Sequence, residues 1–270
     1  MVKLIITIFM AIFFIGCETL TYCPPKKHIS SIMLLDSSSD VYAYINLSKN
    51  RFIYNELNTK YKIGLSTIGN LYLSYTKNTE AFSSIITGNF PKNIFWAIQN
   101  NPNFESHGNI FTNPKWKIKN SDIYVTPIKG KKGILINQKK TTHKNENVLT
   151  TKYINILDQN EIFIWIKDIN ILLPDRINKT NLIPFDKGIF IANSENEDDY
   201  HLKAYLNTDN PTILSILSKK LIPTLLANIT KIIISSPIKS KIQDQDTVEL
   251  QFNVNKISIK EFITSLMSEI

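Results

Sequence analysis

The side chains in this 270-residue chain that could do chemistry are few and widely separated. Four histidines, His28, His107, His143 and His201, lie outside helix or strand spacing of one another and of the two cysteines. Neither HExxH nor CxxC occurs, so zinc sites of the sequence-local kind have no support. His107 follows Glu105 by two residues in a glycine-bearing loop, and His201 opens a strand-like run; both read as ordinary loop and sheet residues. A paired-carboxylate hydrolase needs two acids about 5 to 9 Å apart, and the 23 acids of this chain neither single out such a pair nor exclude one. Ser66, in Gly64-Leu65-Ser66-Thr67, lacks the second glycine of a nucleophile elbow. No phosphate loop or GxGxxG is present. The acidic run at 195–199 lacks the alternating ligands and central glycine of a calcium loop, and reads as a solvated turn. The expectation is no catalytic residue, no metal and no cofactor, with an enzyme the weaker reading.

The aromatic residues say more. Tyr42, Tyr44, Tyr72, Tyr75, Phe90, Phe95, Trp96, Trp116 and Tyr124 crowd the first half, while the second half relies more on Ile and Leu. Packing in a core and on sheet faces accounts for most of them. Residues 88–100 (GNFPKNIFWAIQN) offer the alternative of a groove or contact surface. A helix starting at Pro91 puts Phe95 and Ile98 on one stripe and Trp96 about 100° away from it. Phe90, Phe95, Trp96 and Trp116 are therefore the candidate contacts for a hydrophobic ligand or a protein partner.

The chain begins MVKLIITIFMAIFFIGC: a single lysine, an unbroken apolar stretch, then Gly16 and Cys17. Twelve apolar residues rise about 18 Å as a helix, short of the roughly 30 Å of bilayer hydrocarbon. A basic start followed by a short apolar core is the layout of a secretory signal. Phe14-Ile15-Gly16-Cys17 resembles the bacterial lipobox, in which the cysteine is acylated and becomes the first residue of the mature protein. That family prefers leucine where this chain has Phe14, a substitution that some lineages, spirochaetes among them, tolerate. The resemblance implies a bacterial lipoprotein, with a palmitate-type lipid on Cys17 and a signal peptide at 1–16. It also implies a place in the cell envelope, periplasmic or on the outer surface. An ordinary secreted protein, an uncleaved anchor and a cytosolic chain with an apolar first strand are the other readings.

With Cys17 acylated, Cys23 has no partner in the chain, so no disulfide framework staples the fold and packing alone must hold it. The 31 basic and 23 acidic residues give +8, or +7 once Lys3 leaves with the signal. The lysines are scattered, with abundant Ile and Asn around them, and an exported protein rarely meets nucleic acid, so no nucleic-acid partner is expected. The expected partners are the membrane, through the lipid, and a protein or hydrophobic ligand.

Residues 17–31, polar with a proline pair, read as a tether reaching at most about 45 Å. Beyond it, strand patterns occur at 41–47, 65–75, 82–86, 116–118, 123–125, 134–136, 154–157, 162–166, 188–191, 200–206, 232–234 and 248–254. Helix patterns follow Ser48, Pro91, Pro211 and Ser258. Residues 141–150 are nearly devoid of apolar side chains and read as a linker between subdomains at 32–140 and 151–270. Four matches support a duplication: Val41 on Ile162, Leu71 on Ile189, Pro91 on Pro211 and Pro127 on Pro237. The expected fold class is α+β: mostly antiparallel sheets with helices on one face, in two duplicated subdomains. The expected function is that of a membrane-tethered envelope lipoprotein binding a hydrophobic ligand or protein partner. The alternatives are an envelope hydrolase with a dispersed acidic or histidine site, and a structural or antigenic surface lipoprotein.

Overall fold

The structure is a computed structural model. It describes residues 34–35, 39–50, 68–88, 90, 94–108, 114–128, 133–138, 156–157, 159–168, 187–212, 214–216, 219, 233–259 and 261, the side chains of 68, 94, 96 and 97 excepted. The signal, Cys17, the tether, the linker at 141–150 and the helix pattern after Ser48 lie outside the described residues. The chain divides into two compact units, Met1–Asp158 with Ile270, and Gln159–Glu269.

The first unit contains β1 (Val41–Asn46), β2 (Ile68–Thr76), β3 (Ala81–Gly88), α1 (Ile94–Asn100), β4 (Phe104–Ser106), β5 (Trp116–Ile118), β6 (Ile123–Ile128) and β7 (Gly133–Gln138). Its strands lie in the order β1-β2-β3-β7-β6-β5-β4, each antiparallel to its neighbours. After the β1-β2-β3 meander the chain passes through α1 to the far edge. From there it steps back strand by strand until β7 closes against β3. The β2-β3 hairpin turns over Lys77 to Glu80, where the Glu80 N–H donates to the Lys77 carbonyl at 3.1 Å. Glu80 takes a left-handed φ of 50° there, a conformation glycine adopts without cost.

The second unit contains β8 (Ile162–Ile166), β9 (Gly188–Ser194), β10 (Asp199–Asn207), β11 (Lys239–Ile242) and β12 (Thr247–Asn255), ordered β8-β9-β10-β12-β11 and again antiparallel. Between β10 and β11 the chain is helical at 211–212, 214–216 and 219, following Pro211. The pairing scheme is that of the first unit: a three-stranded meander, a helical passage, and a last strand that closes on the third.

Both sheets are antiparallel, as expected, and strand greatly exceeds helix among the described residues. The fold is therefore sheet-dominated rather than an α+β layering with helices clearly gathered on one face. Two strands, β4 and β11, carry no strong apolar alternation and were not expected. Residues 156–157, expected as strand, are helical. The short apolar run at 154–157 fits either period, and four residues are too few to choose between them. Ile234 makes only an isolated bridge to Val254. The helix expected from Ser258 begins earlier, at 256. Asn255 caps it, its Oδ1 accepting the N–H groups of Ile257 (2.9 Å) and Ser258 (3.2 Å), which satisfies two donors of the first turn.

Val248, Leu250, Phe252 and Val254 of β12 are all 4% exposed or less, and each contributes about 1.5 to 3 kcal/mol by burial. Glu249 between them is 7% exposed. Its carboxylate is satisfied by the side-chain amides of Gln243 and Gln251.

Tyr200, 1% exposed on β10, holds its phenol proton far more tightly than usual. Burial is the main cause, the Glu161 carboxylate adds to it, and a hydrogen bond with Ser194 opposes it. The unfolded chain loses this proton near pH 10, while the folded chain keeps it to a higher pH. This contribution to stability is therefore complete below pH 10 and falls as pH climbs from there toward the folded value. Tyr200→Phe is expected to flatten the loss of urea stability between pH 10 and 11.5; an unchanged slope would contradict this.

Candidate functional site

Directly opposed residues of antiparallel strands point to the same side of the sheet, so the register of the first unit sorts its two faces. One rung of the first face runs Tyr42–Ser74–Ser83–Asn137–Tyr124 and continues through Lys117 to Glu105 at the edge. The next runs Tyr44–Tyr72–Ile85–Leu135–Thr126. Asn70 and Thr87 belong to the rung beyond. This face is aromatic and polar. The other face carries Leu71, Leu73, Ile86, Ile134, Ile136 and Val125 together with the aromatic rings of Tyr75, Phe82, Phe104 and Trp116, and its middle is apolar apart from Ser84. All eight residues of β3 are buried, so the middle of the sheet is covered on both sides.

Tyr42, Tyr44 and Tyr72 are 2% exposed or less, and Tyr124 is 6% exposed. The rings of Tyr44 and Tyr72 lie 5.2 Å apart with a 41° tilt. The Tyr44 hydroxyl donates to Asn70 Oδ1 at 3.3 Å, and Thr87 Oγ1 donates to the Asn70 carbonyl at 3.5 Å. Two neighbours on the same face differ from these. Ser74 and Ser83 are 2% and 0% exposed, and they face each other across the β2-β3 pair. Among the described residues, the buried side-chain atoms with no hydrogen-bond partner are Ser74 Oγ, Ser83 Oγ and Trp116 Nε1. Each such group costs about 1 to 3 kcal/mol of desolvation.

At the open edge of this face, His107 meets the Tyr124 ring edge-on at 5.7 Å. Lys115 Nζ lies 4.2 Å from the centre of the same ring, and Glu105 is 3.8 Å from His107 Nε2. Both side chains are about half exposed, so this contact adds little to stability. The hydrolase alternative asked for a histidine joined to two carboxylates. Among the described residues His107 has one, Glu105, and His201 Nδ1 has an amide oxygen, that of Asn253, at 3.0 Å. Among the described residues, no group of three or more His, Cys, Asp or Glu could hold a metal ion. The acidic turn is built on Asn196, whose Oδ1 accepts the N–H groups of Asp198 and Asp199 at 2.8 and 2.7 Å.

Of the four aromatic candidates, two meet in the described structure. Phe95 stacks on Trp116, with ring centres 6.0 Å apart and planes 6° from parallel, and Trp116 is only 1% exposed. That pair is packing between α1 and this second, apolar face, with Ile98 (0% exposed) beside Phe95 on the helix stripe. Phe90 is half-buried, and the side chain of Trp96 lies outside the described ones. The serines were missed because a strand reading treats isolated serines as neutral. Their signal was present in Ser74 and Ser83-Ser84, hydroxyls set inside otherwise aromatic and aliphatic strands. The exposed large apolar residues among those described are Ile216, Ile233, Ile242 and Ile257, all in the second unit.

No family model matches the chain, and no curated protein matches it. What fold and site define is a two-unit antiparallel-sheet protein with an aromatic, hydroxyl-bearing face in its first unit. Solved structures share that fold. Crystal form IV of TP0453, a Treponema protein, superposes with a TM-score of 0.61 at 11% identity, over 86% of this chain and 95% of that one. Crystal form III gives 0.59 at 12% identity, over 87% and 97%. Crystal form I gives 0.56 at 13%, over 87% and 96%. At such identities the likeness is one of fold. Among the described residues no helix is long and apolar enough to cross a membrane.

Proposed function

We propose that the protein is a lipoprotein of a bacterial envelope, held by acyl chains on Cys17. In this reading its first unit binds a long-chain hydrophobic ligand against the tyrosine and serine face of its sheet. One observation carries the binding reading: a buried sheet face collects Tyr42, Tyr44, Tyr72 and Tyr124 together with two hydroxyls that have no hydrogen-bond partner among the described residues. Tyrosines supply apolar area with polar tips, the chemistry that suits a ligand with a greasy body. The envelope part rests on residues 1–17. It is supported by the origin of the similar structures in a spirochaete. The tether, the duplication and the laying of helices on one face of each sheet belong to the same proposal.

The test is native mass spectrometry of the full-length protein released in mild detergent, with hexadecane, 1-hexadecanol and hexadecanoate as probes. Saturable one-to-one adducts with at least one of the three are expected. If none of them binds saturably, the ligand reading fails and a protein partner takes its place, with the exposed isoleucines of the second unit as its first candidate surface.

A further inference from the structure

Ser74 and Ser83 are opposite residues of one strand pair, and their hydroxyls leave the same face of the sheet. Opposed Cβ atoms are about 4.5 to 5.5 Å apart. A single oxygen seated between the two side chains therefore lies within hydrogen-bond reach of both, at roughly 2.7 to 2.8 Å from each. From Tyr42 to Tyr124 the rung is uncharged, with Tyr42 on one side of the serines and Asn137 and then Tyr124 on the other; the first cations on that side are Lys115, over the Tyr124 ring, and Lys117, two strands beyond Asn137. The nearest acid along the first face is Asp40, two residues before Tyr42. Its Oδ2 accepts the Lys77 N–H at 2.8 Å. A carboxylate placed at the serines would be stripped of water with no cation to meet it and an anion nearby, which is strongly unfavourable. A neutral oxygen meets no such penalty.

Resting on the ligand reading above, we propose that Ser74 and Ser83 form the polar end of that site. Together they grip one uncharged oxygen, the hydroxyl or ester carbonyl of a long-chain amphiphile, while its chain lies along the tyrosines. Each serine hydroxyl can donate to a carbonyl or both donate to and accept from an alcohol, so the pair serves either group. A free fatty acid is disfavoured in its ionised form.

The same native mass spectrometry, on the full-length protein and its variants, reads this directly. The protein is expected to take 1-hexadecanol about tenfold more tightly than hexadecane, the effect of one to two added hydrogen bonds, and hexadecanoate more weakly than the alcohol. The double variant Ser74→Ala/Ser83→Ala should bind alcohol and alkane equally. Ser84→Ala, on the opposite face, should keep the preference. The double variant without ligand should also melt higher, by about 4 °C or more, since it loses two unpaired buried hydroxyls. Hexadecane binding together with an alcohol preference that is absent, or that survives in the double variant, would overturn the serine subsite and leave the ligand reading standing. A lower melting temperature for the double variant would also overturn it, because the hydroxyls would then have partners within the protein. Failure of all three probes would overturn the ligand reading itself.

Discussion

Trp116→Ala is expected to destabilise the protein by about 3 to 5 kcal/mol, the usual cost of emptying a buried aromatic site. The ring is 1% exposed and stacked on Phe95, so truncation opens a cavity beneath α1 and frees the helix face that Phe95 and Ile98 supply. Trp116→Phe should behave quite differently. It keeps the stack and removes an indole N–H that has no partner among the described residues. The desolvation regained, about 1 to 3 kcal/mol, offsets most of the lost ring area, and a net change of about 1 kcal/mol or less is expected. The check is the urea midpoint of both variants at unchanged m-value. A phenylalanine variant as unstable as the alanine one would mean that the indole N–H is bonded.

Cys17→Ser is the second large effect. Each buried CH₂ adds about 0.8 kcal/mol to membrane attachment, so two or more acyl chains hold a protein stably where one does not. The apolar run before Cys17, about 18 Å long as a helix, is too short to replace them across roughly 30 Å of hydrocarbon. The unaltered protein is expected to stay with the membrane through alkaline and high-salt extraction and to incorporate labelled palmitate. The serine variant should take up no label and leave with the extract. Retention as firm as that of the unaltered chain would remove the lipid from the account.

Strand positions were readable where apolar alternation and turn residues coincide. β1, β2, β3, β6, β8, β10 and β12 begin and end close to the runs that alternation marks. β4 was not readable because Phe104-Glu105-Ser106 has one apolar residue, and it exists by pairing with β5, as Phe104 faces Ile118. β11 is similar: Lys239-Ser240-Lys241-Ile242 reads as a charged loop, and its place comes from β12. Register shows how the sequence matches misjudged faces. With Val41 set on Ile162, Tyr44 falls on Trp165. Their partners are Tyr72 and Ile189, so matching Leu71 with Ile189 is one residue out and puts the two side chains on opposite faces.

The candidate site was only half legible for the same reason. Composition displayed the tyrosines, but which of them share a face depends on pairings more than fifty residues apart, such as Ser83 with Asn137. Helical spacing correctly joined Phe95 and Ile98 and could not show that Trp116, on another element, closes the stack. The sequence displays the hydroxyls of Ser74 and Ser83 inside apolar strands, but that they lack partners is not legible there, since it is defined by what the fold fails to bring near them.

The measurement that bears most directly on the account is the mass of the N-terminal peptide of the native protein. A peptide that starts at Cys17 and carries the mass of several acyl chains is the predicted result. An intact Met1, or a bare N-terminus elsewhere, would contradict it.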